Sequence, residues 1–74
     1  MSKADEMFEK LGYERINTSM TTIKYIKFNK VWVNISIRFD LKDKTVFIHC
    51  ETENLTMQEL QAINLKCKEL GWIE

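Results

Sequence analysis

The chain has no proline, two glycines, two cysteines and a single histidine among its 74 residues. Each scarcity excludes something. Without proline, and with so little glycine, the composition is not that of a disordered or linker-rich protein. The cysteines, Cys50 and Cys67, are far apart and outside any Cys-x-x-Cys motif, so no disulfide framework is drawn. Each falls on an apolar face and is expected to be a small core residue. The one histidine, His49, precedes Cys50 on an expected strand, so the two side chains point to opposite faces. A structural zinc ion takes about four ligands, and these residues do not assemble them. Both glycines lie at expected helix ends, which leaves no Gly-x-Gly-x-x-Gly or Walker-type phosphate loop, and no cofactor is expected. No stretch approaches the roughly 20 apolar residues that span a bilayer. The first residues are charged rather than apolar, so no signal peptide is read, and the chain is expected to stay in the cytoplasm.

What remains is enough for one small domain over residues 1–74. The chain is 45% hydrophobic, sufficient for one compact core. A chain this short buries only about 60% of its unfolded surface, so oligomerisation is a plausible further source of stability. Net charge is zero, with eleven basic and eleven acidic residues. Their placement is uneven. Seven basic and two acidic side chains fall within residues 15–44, whereas both flanking segments carry an acidic excess. A basic centre between acidic ends can mark an interaction surface, or the segments can neutralise one another in the fold.

Two helices bracket the chain. The first is expected over about Lys3 to Leu11. Ser2 is its N-cap, Asp5 and Glu6 sit in the first turn where the helix dipole favours them, and Gly12 ends it. Ala4, Met7, Phe8 and Leu11 share its apolar face, and Tyr13 can fold back on Phe8. The last helix is expected over about Met57 to Leu70. Thr56-Met57-Gln58-Glu59 is a capping box, with Leu55 and Leu60 at the staple positions. Leu60, Ile63, Cys67 and Leu70 form its expected buried stripe. Gly71 ends it, and Trp72 can pack back on Cys67.

Between the helices lies a meander of four antiparallel strands. Val31, Val33, Ile35, Ile37 and Phe39 alternate with Trp32, Asn34, Ser36 and Arg38, a clean period of two. Thr22 to Phe28 and Thr45 to Glu51 flank this strand, and Tyr13 to Thr18 is a weaker edge strand of unassigned register. With Asn29-Lys30 as a two-residue turn, Phe28 faces Val31, Ile26 faces Val33 and Lys24 faces Ile35. With Lys42-Asp43 as the next turn, Phe39 faces Val46, Ile37 faces Ile48 and Ile35 faces Cys50. The fold class is α+β, in the order α-β-β-β-β-α, with both helices on the apolar face of the sheet.

This register leaves the opposite face open. It would carry Thr21, Ile23, Tyr25 and Lys27 from one strand. Trp32, Asn34, Ser36 and Arg38 come from the next, and Phe47, His49 and Glu51 from the last. Large aromatics on a solvent-facing sheet imply a partner. Tyr25, Lys27, Trp32, Asn34, Arg38, Phe47 and His49 are the candidate contact residues. A protein partner or a second copy is the first reading, because tryptophan, tyrosine and arginine anchor such interfaces. Single-stranded nucleic acid is the alternative, with bases stacked on the aromatics and phosphates met by Lys27 and Arg38. Zero net charge and the lack of an RNP-type motif weigh against it. Two further readings are that a helix or terminal segment covers this face as core, or that it holds a small molecule. A Ser36/His49/Glu51 set can be drawn across the strands, but a flat sheet supplies neither pocket nor oxyanion donors, so no catalytic residue is assigned and no enzyme is expected.

The segments Ala4-Asp5-Glu6-Met7-Phe8-Glu9-Lys10-Leu11-Gly12-Tyr13-Glu14, Met57-Gln58-Glu59-Leu60-Gln61-Ala62-Ile63 and Cys67-Lys68-Glu69-Leu70-Gly71-Trp72 resemble the opening and ending of small proteins encoded by phages and prophages of Firmicutes. The resemblance covers both helices and leaves the sheet unmatched. It implies an accessory role exerted by binding a host or phage protein, such as inhibition of a host or defence component. It supplies no functional residues.

Overall fold

The computed structural model describes residues 2–51 and 53–74. Helix α1 spans Lys3–Lys10, followed by strands β1 (Glu14–Ser19), β2 (Thr22–Asn29), β3 (Trp32–Asp40) and β4 (Thr45–Cys50), and helix α2 spans Met57–Glu69. The strands form one antiparallel sheet in the order β1-β2-β3-β4. Both helices pack on one face of it, so the expected α-β-β-β-β-α architecture is the one found.

The helix ends follow from local chemistry. The Ser2 side chain accepts the N–H of Asp5. The Thr56 side chain accepts the N–H of Glu59, whose carboxylate accepts the N–H of Thr56 in return, which completes the capping box. Gly12 and Gly71 take φ of +93° and +78°, the left-handed conformation that closes each helix. The next residue then bonds back: Tyr13 N–H reaches Phe8 O and Trp72 N–H reaches Cys67 O, each at 2.9 Å. These closures aim Tyr13 and Trp72 into the core.

Phe8 is the centre of the helix–sheet contact. Its ring stacks on Tyr25 at 4.1 Å and meets Tyr13 and Phe39 edge-on. Ile23, Ile35, Ile37, Phe39 and Ala62 complete the buried cluster, and Trp72 closes it against Phe39. The helices run antiparallel to each other: the N–H of Ala4, at the start of α1, donates to Glu69 at the end of α2.

Three expectations are corrected here. The β3–β4 register is as expected, with Phe39 opposite Val46, Ile37 opposite Ile48 and Ile35 opposite Cys50. The β2–β3 register is not. The turn residues are Lys30 and Val31, with Lys30 at φ +60°, and the ladder shifts between Lys27 and Phe28. The moved turn alone would leave every face unchanged. The shift does not: Asn34 is an extra residue on β3, so Tyr25 lies opposite Ile37 and Ile23 opposite Phe39. The two faces of β2 are thereby exchanged relative to the expectation. Secondly, α2 buries Glu59, Ala62 and Lys66, while Leu60 is exposed. The α2 surface turned to the core is therefore partly ionic, and Ile63, Cys67 and Leu70 flank it. Thirdly, Cys50 is exposed rather than core, because β4 is an edge strand that the helices leave largely uncovered; Cys67 is half-buried. Burial raises the pKa of the Cys67 thiol.

Candidate protein-contact face

The side of the sheet away from the helices is assembled by cross-strand pairing. Residues directly opposite each other share a face. Glu14 pairs with Ile26, Ile26 with Ser36, and Ser36 with His49. The next row runs Ile16, Lys24, Arg38 and Phe47. Apart from Glu14, these rows line a shallow groove of about 490 Å³ that also includes Val33 and Glu51. Its floor is Ile26, only 7% exposed although it lies on the side away from the helices. Phe28, Val33, Ile16 and Phe47 stand higher and are exposed.

Arginine and aromatic are already engaged with each other. The Arg38 guanidinium lies 4.9 Å from the centroid of the Phe47 ring, which holds both as one amphipathic plate. His49 Nε2 is 3.1 Å from Glu51 Oε1, with both side chains more than half exposed. Ser36 is the cross-strand neighbour of His49, so the set drawn from the sequence does come together on this face. It lies on the open sheet.

A second groove of about 410 Å³ adjoins the first and shares Val33 and Glu51 with it. Asn29, Trp32 and Asn34 line the rest. Trp32 is 75% exposed, at the hairpin end opposite Asn29. Asn34 is buried at the irregularity, and its backbone oxygen accepts the N–H of Glu51 at 2.8 Å.

Of the expected contact residues, the structure brings Arg38, Phe47 and His49 to the open-face groove. Trp32 and Asn34 line only the adjoining one, because the extra residue Asn34 turns Val33 to the open face and sets Trp32, opposite Asn29, on the Lys27 side of the ladder. Tyr25 and Lys27 are on the other side. Tyr25 is a buried core residue whose hydroxyl donates to Asp5. Lys27 Nζ lies 3.7 Å from Glu59 and over the Tyr13 ring. Ile16, Lys24, Ile26 and Val33 take their places. The exchange changes the electrostatics. Lys24 stands in for Lys27, so the cations still number two, but β1 adds Glu14, and the face carries Lys24 and Arg38 against Glu14, Asp40 and Glu51.

Beneath the helices, two carboxylates are held in parallel ways. Each is the third residue of its helix, Asp5 in α1 and Glu59 in α2. Each accepts a hydrogen bond from a tyrosine hydroxyl: Tyr25 to Asp5 and Tyr13 to Glu59. Each also has a lysine within 4 Å, Lys66 at 3.4 Å from Asp5 and Lys27 at 3.7 Å from Glu59. Arg15 adds a 2.8 Å bond to Asp5. Burial opposes ionisation of both carboxyls. The tyrosine hydrogen bonds and neighbouring cations outweigh it, and both pKa values are lowered. The same contacts, with burial foremost, push both tyrosines well above their ordinary range. The network is saturated by its own members and faces the core, which makes it a structural device that ties helices to sheet.

Among the described residues, no helix is long and apolar enough to cross a membrane, and no cluster of three or more His, Cys, Asp or Glu side chains could hold a metal ion. No family model, no curated protein and no solved structure matches the chain.

Proposed function

We propose that this chain acts by binding a protein through the open face of its sheet, with Ile26 as the floor of the contact and Arg38, Phe47 and Ile16 as its anchors. The observation that carries the reading is the row Ile16, Lys24, Arg38 and Phe47 beside Ile26, an amphipathic surface that the helices do not cover. Aromatic and arginine side chains around an apolar centre are the anatomy of a protein interface. The balanced charge of the face favours a mixed protein surface over a polyphosphate. A nucleic-acid groove needs a cationic surplus, which Glu14, Asp40 and Glu51 remove. The likeness of the helix ends to small phage and prophage proteins supports a host or phage protein as the partner, and inhibition of a host or defence component as the outcome.

The test is affinity capture of the tagged chain from a bacterial host lysate, with and without nuclease. Wild type, Ile16→Glu and Arg38→Glu are compared; neither residue is on β4, and both are exposed. One protein retained in stoichiometric amount after nuclease, and lost with either variant while the fold is kept, is the expected result. Bound material that disappears with nuclease would place nucleic acid first. Retention unchanged in both variants would remove the open face from consideration.

A further inference from the structure

We infer that β4 pairs edge to edge with β4 of a second copy of this chain, antiparallel and with Ile48 on the two-fold axis. The inference does not rest on the open-face reading above; it concerns the rim of the sheet.

The sheet has two edges, and they differ. β1 carries Glu14 and Arg15 and has an irregular register between Asn17 and Ser19, features that blunt an edge against further pairing. β4, Thr-Val-Phe-Ile-His-Cys, has no acidic residue, lysine, arginine or proline, and its ladder to β3 is regular throughout. It is the unguarded edge of the molecule, and a strand of this kind is a template for another. Its helix-side residues are also left bare: Ile48 is 38% exposed and Cys50 is exposed, because the helices cover the inner strands.

Backbone geometry fixes the register. The N–H of Glu51 bonds to Asn34 O, so the backbone of Glu51 turns toward β3. Alternation along an antiparallel ladder then turns Thr45, Phe47 and His49 toward β3 as well. The N–H and C=O groups of Val46, Ile48 and Cys50 therefore point outward, away from the sheet. A symmetric antiparallel pair must match outward residues with outward residues. Centred on Ile48, it sets Ile48 against Ile48 of the second copy and Val46 against its Cys50, twice by symmetry. All three outward residues are then paired, giving about six backbone hydrogen bonds. A shift by one step in either direction reaches Lys44, which is left-handed at φ +57°, or runs off the strand, and loses pairs.

The side chains agree with this register and argue for a second copy as the occupant. The strand reads nearly the same from either end. On the helix side, apolar meets apolar at each of the three positions. On the open side, Phe47 lies against His49 of the second copy and Thr45 against its Glu51. Glu51 is the only carboxylate in the pairing segment, and it never faces its symmetry mate. The two four-stranded sheets would become one continuous sheet, with the open faces side by side.

Sedimentation equilibrium on the intact chain tests the stoichiometry, and two sets of variants test the register. Cys50→Pro removes an outward N–H while sparing every bond to β3, and is expected to be a folded monomer where wild type is a dimer. Separately, Phe47→Cys and His49→Cys chains, each also Cys50→Ser, are mixed under mild oxidation. Residues 47 and 49 form a non-hydrogen-bonded pair about 4.5 Å apart at Cα, within disulfide reach. A 47–49 cross-link in the mixture, in excess of what either chain forms alone, is the expected result. A wild-type chain that stays monomeric, as it would if the edge served an extended segment of another protein, overturns the inference. So does a dimer whose mixture gives no 47–49 cross-link, which would place the interface elsewhere. Should Cys50→Pro lose its fold by circular dichroism, the cross-link alone decides.

Discussion

At the scale of single residues, the decisive feature is a pair of tyrosine–carboxylate contacts beneath the helices. Glu59 is 1% exposed, and a buried carboxylate is tolerated only when its oxygens are satisfied. One oxygen takes the N–H of Thr56, and the other takes the Tyr13 hydroxyl with Lys27 nearby. Tyr13→Phe removes a hydrogen bond to a charged, buried acceptor and is expected to cost about 2 kcal/mol in urea denaturation. Tyr25→Phe should cost less, because Asp5 keeps Arg15 and Lys66. The pH dependence follows from the direction of the shifts. Both carboxyls have folded-state pKa values below their ordinary 3.8 and 4.5. The unfolded chain therefore takes up protons first as pH falls. The stabilisation is complete above those ordinary values and is lost as pH drops through the lowered ones. Thermal midpoints should be level from neutrality to about pH 5 and fall steeply below about pH 4, and Glu59→Gln should flatten that fall. A midpoint that rose on acidification would contradict the assignment.

At the scale of elements, β2 shows where the sequence is legible and where it is not. Both helices can be read from their caps, and the β3–β4 ladder from its alternation, because Ile35, Ile37 and Phe39 oppose an equally patterned strand. In β2 the two alternating sets are equivalent: Ile23, Tyr25 and Lys27, or Lys24, Ile26 and Phe28. Each offers two apolar residues and one lysine, so periodicity cannot choose between them. The choice is made by Asn34, a single extra residue on the neighbouring strand, which pattern reading has no means to count. That one ambiguity moved Tyr25 and Lys27 to the wrong side of the sheet and hid Lys24 and Ile26 as site residues, while Ile16 was missed with the unassigned register of β1. The stripe of α2 was misjudged for a related reason: Glu59 and Lys66 read as solvent-facing until Tyr13, Lys27 and Asp5 are placed beside them. The hairpin itself offers a test. Lys30 holds φ +60°, where a Cβ costs about 1–2 kcal/mol, so Lys30→Gly should stabilise the domain by up to about 1 kcal/mol after the entropy of glycine is counted. Gly71→Ala is the opposite case. No atom lies within 4 Å of the added Cβ, so its expected loss of about 1 kcal/mol would be backbone strain alone.

At the scale of the whole molecule, the helices and sheet are bound into one unit by contacts that are distant in sequence. Ala4 bonds to Glu69, Asp5 to Lys66 and Tyr25, and Glu59 to Tyr13, while Phe8 stacks on Tyr25. The Tyr13 and Tyr25 hydroxyls are satisfied across elements, by Glu59 and Asp5. Removing α2 would leave Ile35, Ile37 and Phe39 bare and strand the Tyr13 hydroxyl, so a chain ending at residue 55 is expected not to fold. The two tryptophans allow cooperativity to be measured directly. Trp32 is exposed, whereas Trp72 is packed 6.1 Å from Phe39 at the closed end of α2. In a Trp32→Phe chain, fluorescence reports the seating of α2 on the core, and far-ultraviolet circular dichroism reports sheet and helix together. If the ionic links make a single cooperative unit, the two urea transitions coincide in midpoint and slope. A fluorescence transition at lower urea would mean that α2 detaches first, and that Asp5 and Glu59 hold the helices less firmly than their geometry implies.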